Sequence, residues 1–378
     1  MSRRYALRLL ATASLHGVKV ARADEIPAPK ESARVGLELR FDYDMTQVKW
    51  DQEDATHVNE QSEKFAAASP LVNIHGRIDD QTTYRIRYSF LNDFTRESAG
   101  NDGLPTGVQY FYVTHTINDV WTLQVGKQFV LTGSWEYNYN IAELYHYSAT
   151  FARAPTFAET GAQLGAHIGK QFFAVQLFNS VPESARKQSQ DLIKVAAWYG
   201  NFSNGTILPI VSYAIFPRPR EKIGDVRDEA SATTELSYGA RFNQGNFEYE
   251  VVGAFLRTPD HSFFQADAMT EDVTAVKVPS DEWQLAYGLL RYKLEDPKLE
   301  PFVKVTLDEA KTGGAKSQRF TRASAGIEYY PQASAFRYHL VYILQRDKYL
   351  EFSNDGLVAQ TANERRQSSI LIGSGAVF

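Results

Sequence analysis

The chain of 378 residues contains no cysteine, only three methionines and eight histidines, and each scarcity removes a class of function. Without thiols there is no disulfide framework, no thiolate metal centre and no cysteine nucleophile. His16, His57, His75, His115, His146, His167, His261 and His339 fall in no His-Glu-x-x-His or paired-histidine spacing that would hold a metal. A Gly-x-Ser-x-Gly nucleophile elbow is also missing. No apolar stretch reaches the roughly 18 residues that a membrane-crossing helix needs, and the mean hydropathy of -0.36 agrees. The longest uncharged run, Val195 to Phe216, is interrupted by Asn201, Ser203, Asn204 and Gly205, a hairpin turn between two strands.

Positive charge is slightly outnumbered, 40 Lys and Arg against 45 Asp and Glu. The formal net charge is -5. Residues 1–23 have the parts of an export signal: Arg3 and Arg4, an apolar region around Leu7 to Leu15, and the small-residue site Ala21-Arg22-Ala23. Arg8, His16 and Lys19 interrupt it, and a disordered basic tail is the alternative. Cleavage near Ala23 would remove five cations and leave -10. So acidic a chain is a poor partner for nucleic acid.

What the sequence has in quantity is aromatics and alternation. There are 21 Tyr and 23 Phe, as strands and interfacial girdles require. Sixteen stretches alternate apolar and polar residues at a period of two, and the last ends on Phe378. In the clearest, Val35, Leu37, Leu39, Phe41 and Tyr43 interleave with Gly36, Glu38, Arg40, Asp42 and Asp44. A soluble sandwich would not turn such charges toward its core, whereas a pore would. The predicted strands are 34–44, 66–79, 82–93, 107–117, 120–129, 160–169, 170–179, 190–202, 205–216, 234–243, 246–257, 282–294, 298–310, 318–330, 335–347 and 366–378.

Seven tight turns alternate with eight mostly longer connections, at about 45–64, 94–106, 130–159, 180–189, 217–233, 258–281, 311–317 and 348–365. Both chain ends then lie on the tight-turn side. The pattern predicts an all-β fold: a transmembrane antiparallel barrel of about 16 strands, residues 24–378 forming one domain with short periplasmic turns and long extracellular loops. Sixteen strands enclose an aqueous bore, because eight already fill with side chains. Passage of small hydrophilic solutes or inorganic ions, anions included, is the expected function, and the Gram-negative outer membrane the expected location.

Taking the apolar parity of each strand as lipid-facing places Arg40, Arg77, Arg85, Arg87, Arg241, Lys304, Arg322 and Arg337 in the lumen, with Glu38, Asp42, Glu248, Glu250, Glu300 and Glu328. Arg77, Arg85 and Arg87 suggest a ladder that attracts anions; pairing of these charges across strands is the alternative. The connection 130–159 is long and aromatic, with Trp135, Tyr137, Tyr139, Tyr145, Tyr147 and Phe151, and is expected to fold inward as a constriction. Glu136, Glu143 and Arg153 are its candidate charges, so the narrowest point carries more acid than base.

The segments Leu123-Gln124-Val125-Gly126-Lys127-Gln128-Phe129, Gly161-Ala162-Gln163-Leu164-Gly165, Leu177-Phe178-Asn179, Leu299-Glu300-Pro301-Phe302 and Gly326-Ile327-Glu328-Tyr329-Tyr330-Pro331 occur in that order over roughly two hundred residues. With them the chain resembles the phosphate-selective porin O and P family of Gram-negative outer membranes. The resemblance implies a sixteen-stranded channel, a homotrimer and general porin activity. Val130-Leu131 stands where members often have a proline-phenylalanine step, and Arg153 alone replaces several basic residues of the constriction, so phosphate specificity is not implied. The terminal aromatic resembles the signal read by the barrel assembly machinery. Outer-membrane lipid and lipopolysaccharide are the other expected partners, the latter through divalent ions at acidic loops such as Asp225 to Glu229 or Glu271-Asp272. A plugged barrel serving as a structural element or receptor, and an outer-membrane hydrolase, are the competing readings. No cofactor is expected.

Overall fold

The computed structural model describes residues 33–53, 57–90, 107–132, 145, 158–179, 192–217, 222–223, 226–227, 232–266, 273–296, 298–331, 336–350 and 362–377. The predicted export signal, Glu136, Glu143, Arg153 and Phe378 lie outside them. The strands are β1 (Ala33–Trp50), β2 (Glu60–Arg77), β3 (Thr82–Ser89), β4 (Val108–Thr116), β5 (Trp121–Phe129), β6 (Ala158–Ile168), β7 (Gln171–Asn179), β8 (Leu192–Tyr199), β9 (Ile207–Pro217), β10 (Lys222–Ile223) and β11 (Val226–Arg227). They continue with β12 (Ala232–Gln244), β13 (Phe247–Thr258), β14 (His261–Ala266), β15 (Val273–Val278), β16 (Asp281–Tyr292), β17 (Leu299–Thr312), β18 (Ala315–Tyr329), β19 (Phe336–Tyr349) and β20 (Asn363–Val377). Sixteen of them close one antiparallel barrel, in the order β1 to β9, β12, β13, β16 to β20, with β20 pairing back onto β1. The pairs β10–β11 and β14–β15 form separate small sheets within two of the connections.

Alternation decides which way each side chain points, since successive residues of a strand face opposite sides of the sheet. On β19, Phe336, Tyr338, Leu340, Tyr342 and Leu344 are exposed on the outside, while Arg337, His339 and Val341 are buried inside. The same inversion runs round the barrel: Phe111, Val113, Leu123, Val125, Val175, Leu177, Val251, Phe255, Val303, Val305, Ile370 and Ile372 form an exposed apolar band, and Glu38, Arg87, Arg241, Glu250, Lys304 and Glu328 are buried behind it. Trp121, Phe202, Phe247, Tyr329 and Tyr338 stand exposed at the tight-turn rim, and Tyr88 and Phe90 at the other. These are the two aromatic girdles of a membrane barrel.

Three details differ from the expectation. Strands β1 and β2 stay paired through Asp44↔Lys64 to Val48↔Glu60, so the connection predicted at 45–64 shrinks to 51–59. Polar residues on both faces do not end a ladder where both faces meet water, which is why composition placed the boundary too early. The connection predicted at 311–317 is a two-residue turn in which Gly313 (φ 58°) and Gly314 (φ 82°) both take the left-handed backbone that tight hairpins demand. The strands β10, β11, β14 and β15 were assigned to loops because runs this short carry no period.

The inner wall has two sectors. On β8, β9, β13 and β16 it is largely apolar: Ile193, Val195, Leu208, Ile210, Ala214, Phe216, Val252, Ala254, Leu285 and Leu289 are all buried there. From β17 round through β20 to β3 it is mainly ionic. Neighbouring strands hold their side chains far enough apart that long-range contacts need a gap between them, and Gly373 provides one. A Cβ there would meet Asp42 Oδ1 and His339 Nε2, each at 2.7 Å, so its absence lets those two side chains meet across β20.

Candidate functional site

The candidate site is the ionic sector of the lumen. Because residues on alternate positions of β1, β2 and β3 share the inner face, Glu38 stands within reach of Asn73 and Arg87. It accepts hydrogen bonds from Asn73 Nδ2 at 2.5 Å and Arg87 Nη2 at 2.9 Å. Arg87 also donates to Tyr110 Oη at 3.2 Å, and Arg85 and Arg87 both lie over the Tyr110 ring at 5.5 Å. Further along, Arg40 pairs with Asp42 at 2.9 Å, and Asp42 also meets His339 Nε2 at 2.7 Å. Glu328 pairs with Arg337 at 3.4 Å and accepts from Tyr330 Oη at 2.5 Å.

Tyr145 stands against this wall. Its hydroxyl donates to Glu328 Oε1 at 2.7 Å, its ring stacks on Phe302 at 5.4 Å with planes 4° apart, and Arg40 lies over it at 5.4 Å. Yet Tyr145 belongs to the connection between β5 and β6. That connection begins on the other wall: Gln176 of β7 accepts the Leu131 N–H at 2.8 Å and donates to the Phe129 carbonyl at 2.8 Å. Val130 and Leu131 pack there with Phe178, Ile193, Val195, Ala214 and Phe216. β7 and β18 are seven strands apart in a ring of sixteen, so Leu131 and Tyr145 touch nearly opposite walls. Fourteen Cα–Cα steps separate them, and an extended chain of that length reaches roughly 45 Å.

Beside Tyr145 lies a cavity of about 420 Å³ between β1, β2, β18, β19 and β20. Its charged lining is Arg40, Asp42, Asp44, Lys64 and Arg322, with Gln345, Gln367 and Ser369 adding hydrogen-bonding groups. Asp44 and Lys64 are cross-strand neighbours. This is a water-accessible surface with both signs of charge and small polar groups. It is suited to receiving hydrated solutes, and it presents no activated nucleophile.

The predicted pore-lining residues divide into three groups. Arg40, Arg85, Arg87, Arg322 and Arg337 belong to the ionic sector, Arg40 and Arg322 at the cavity itself. Arg241 of β12 faces inward elsewhere, fully buried against Glu250, and Lys304 stands on β17 at the edge of the sector, over the Tyr287 ring of β16 at 5.3 Å. Arg77, the last residue of β2, turns instead to the tight turn, where it donates to the Asp80 carbonyl at 2.9 Å and pairs with the Asp80 carboxylate at 3.1 Å. It joins no ladder with Arg85 and Arg87. Arg87, Arg241 and Arg337 pair across strands with Glu38, Glu250 and Glu328, while Arg40 pairs with Asp42 on its own strand.

No protein-family model and no curated protein matches the chain. Solved structures do. An anion-selective porin from Comamonas acidovorans superposes with a TM-score of 0.58 at 10% identity, covering 92% of this chain and 100% of that one. OmpT, an outer-membrane protein of Vibrio cholerae, gives 0.57 at 11% identity over 93% and 99%. The outer membrane channel DcaP of Acinetobacter baumannii gives 0.55 at 11% identity over 91% and 97%. The fold is that of outer-membrane porins. At such identities the likeness extends to the fold alone.

Several lining residues escaped sequence reasoning. Lys64 falls in the connection predicted at 45–64, whereas Asp44 ends the predicted strand 34–44 and continues the parity of Arg40 and Asp42. Gln345, Gln367 and Ser369 are uncharged and gave no signal beyond that parity. Arg291, which pairs with the predicted Glu248 at 3.8 Å, and Asp347 lie within predicted strands, whereas Arg365, which pairs with Asp347 at 3.3 Å, falls in the connection predicted at 348–365.

Proposed function

We propose that the protein is a porin of the Gram-negative outer membrane, forming a water-filled channel for passive diffusion of small hydrophilic solutes or ions. The observation that carries this is the inversion of the barrel: a closed sixteen-strand wall with an exposed apolar band outside and paired charges inside. An apolar exterior of this kind is stable only against lipid, and the closed ladder leaves no backbone edge unsatisfied there. The names of the structural neighbours, an anion-selective porin and an outer membrane channel, agree with it.

The connection 130–159 acts as the constriction in this reading. Support comes from Gln176 holding its start on one wall and from Tyr145 resting on Glu328 and Phe302 of the other. Membership of the phosphate-selective O and P family, and the homotrimer that family implies, rest on the sequence segments alone. The cavity lining holds three cations to two carboxylates, a slight basic excess that favours anions weakly in screened water.

Planar-bilayer recording of the purified, folded protein tests the proposal. Discrete ohmic steps are expected, with a reversal potential in a salt gradient reporting the preferred sign, and cross-linking reporting the trimer. One observation favours a second reading, a barrel plugged by its own connection: Ile210, Glu250 and Arg241 point inward and have almost no exposed surface. A plugged barrel gives no steps.

A further inference from the structure

Outside the lumen, the barrel carries a feature that channel activity does not use. On β18, β19, β20 and β1 the lipid-facing parity runs upward from the tight turns through Tyr329, Ile327 and Ala325; Tyr338, Leu340, Tyr342 and Leu344; Ile372 and Ile370; Phe41, Tyr43 and Met45. Above it the outward positions are Ala323 and Thr321 on β18, Ser368 on β20 and Gln47 on β1, and then, toward the long connections, come Arg319, Arg346 and Lys348, Arg366 and Lys49, with Glu364 among them. The register is continuous across these strands. Arg346 pairs with Arg366, which pairs with Lys49, and Arg319 pairs with Lys348, which pairs with Glu364.

Five cations therefore form two adjacent rows on the long-connection side of the apolar band, meeting it directly at Leu344 of β19. Placing Arg346 opposite Arg366 costs repulsion that a sheet avoids unless something compensates it. Glu364 compensates part. It binds Arg346 in two-pronged fashion at 2.6 and 2.8 Å, takes Arg366 Nε at 2.7 Å, and stands 3.6 Å from Lys348. One carboxylate thus gathers three cations and fixes their directions, while their side chains stay 41% to 59% exposed. Asp51 lies 3.5 Å from Arg366. Arg319 and Lys49 make no ion pair among the described residues. A net positive surface remains, preorganised at the depth where the headgroups of the outer leaflet lie.

We propose that this outer rim of β18, β19, β20 and β1 is a docking site for the phosphate groups of a phosphorylated glycolipid in the outer leaflet. Guanidinium groups match phosphate with paired hydrogen bonds. Basic residues at a membrane surface each add to binding of anionic lipid. Continuity with the apolar band lets the acyl chains of the same molecule lie on Leu344, Tyr342 and Ile370. The proposal rests on the membrane reading above, and the test separates the two.

The test measures equilibrium binding of bis-phosphorylated lipid A, against its dephosphorylated form, to the full-length protein in neutral-detergent micelles. The wild type is expected to prefer the phosphorylated form, and inorganic phosphate is expected not to displace it. The triple variant Arg346→Gln, Lys348→Gln, Arg366→Gln should lose at least about tenfold in affinity. Its heat-modifiable migration and channel conductance should stay those of the wild type, since these side chains face away from the lumen. Arg257→Gln, at the rim of β13 and paired with Glu282 at 3.3 Å, should bind normally. Equal binding of both lipid forms, equal loss in Arg257→Gln, or a triple variant that changes only its oligomeric state would each overturn the site while leaving conductance intact. Should the triple variant misfold, Lys49→Gln with Arg319→Gln serves instead, and unchanged affinity there would count against the proposal.

Discussion

The two halves of the inner wall bury similar numbers of side chains with opposite chemistry. Around β8, β9, β13 and β16 the inward residues are mostly aliphatic and aromatic, with Ser212, Thr258 and the Arg291–Glu248 pair among them, and Arg241 with Glu250 is enclosed among Leu208, Leu289 and Tyr287. From β17 through β20 to β3 the inward residues form a chain of charge pairs beside an open cavity. A water-lined wall gains nothing from apolar side chains, so an apolar wall is one that something covers. Tyr145, Tyr199 and Ile343 pack against one apolar cluster, and Leu131 against the other. The comparison teaches that the inner wall is not uniform, and in the proposed channel the path for water follows the ionic sector.

The largest effect should come from the buried pair. Glu250→Ala leaves the Arg241 guanidinium enclosed without its carboxylate and should cost about 3–5 kcal/mol in denaturant unfolding. A loss under about 1 kcal/mol would mean water reaches that wall and the two halves are alike. Next, Leu285→Ala should cost about 2–4 kcal/mol if its wall is covered. Truncation of the same residue facing open water would cost almost nothing, so this variant separates the two pictures directly.

Tyr145→Phe removes the hydroxyl that reaches Glu328 but keeps the ring on Phe302. It should cost about 1.5 kcal/mol and make the single-channel current noisier, because Tyr330 and Arg337 still hold Glu328 while the connection is held less firmly. Smallest in stability, Lys64→Ala should change unfolding by less than about 0.5 kcal/mol. It should nonetheless move the reversal potential toward cation preference, by removing a cation from the cavity wall. An unmoved potential would place the conducting path elsewhere.

Much of this architecture is legible in the sequence, for a physical reason. Strands that show one face to hydrocarbon keep a parity, and Arg40, Arg87, Arg241 and Arg337 lie on its inward side. Parity says nothing about strand ends, where Arg77 follows the nearest acids of the turn instead of its face. Nor does it say what an inward side chain meets: Val252 and Ala254 continue the inward parity of Glu248 and Glu250, but nothing in the pattern shows that they are buried. The pairing of Glu38 with Arg87 joins residues separated by two strand connections, and the meeting of His339 with Asp42 depends on the missing side chain of Gly373. Both need the register, which only the closed barrel supplies. The contact of Tyr145 with Glu328 depends on the path of a long connection, which residue pattern does not encode.

The absence of cysteine makes the central claim directly measurable. Gln367→Cys on the cavity wall and Val252→Cys on the apolar wall introduce single thiols into an otherwise thiol-free chain, to be treated with a membrane-impermeant, charged thiol reagent while conductance is recorded. The account predicts rapid labelling and reduced current for Gln367→Cys. It predicts slow labelling for Val252→Cys that becomes rapid when residues 135–150 are deleted, a deletion that should itself raise the conductance. Equal, rapid labelling of both thiols in the intact protein would contradict it.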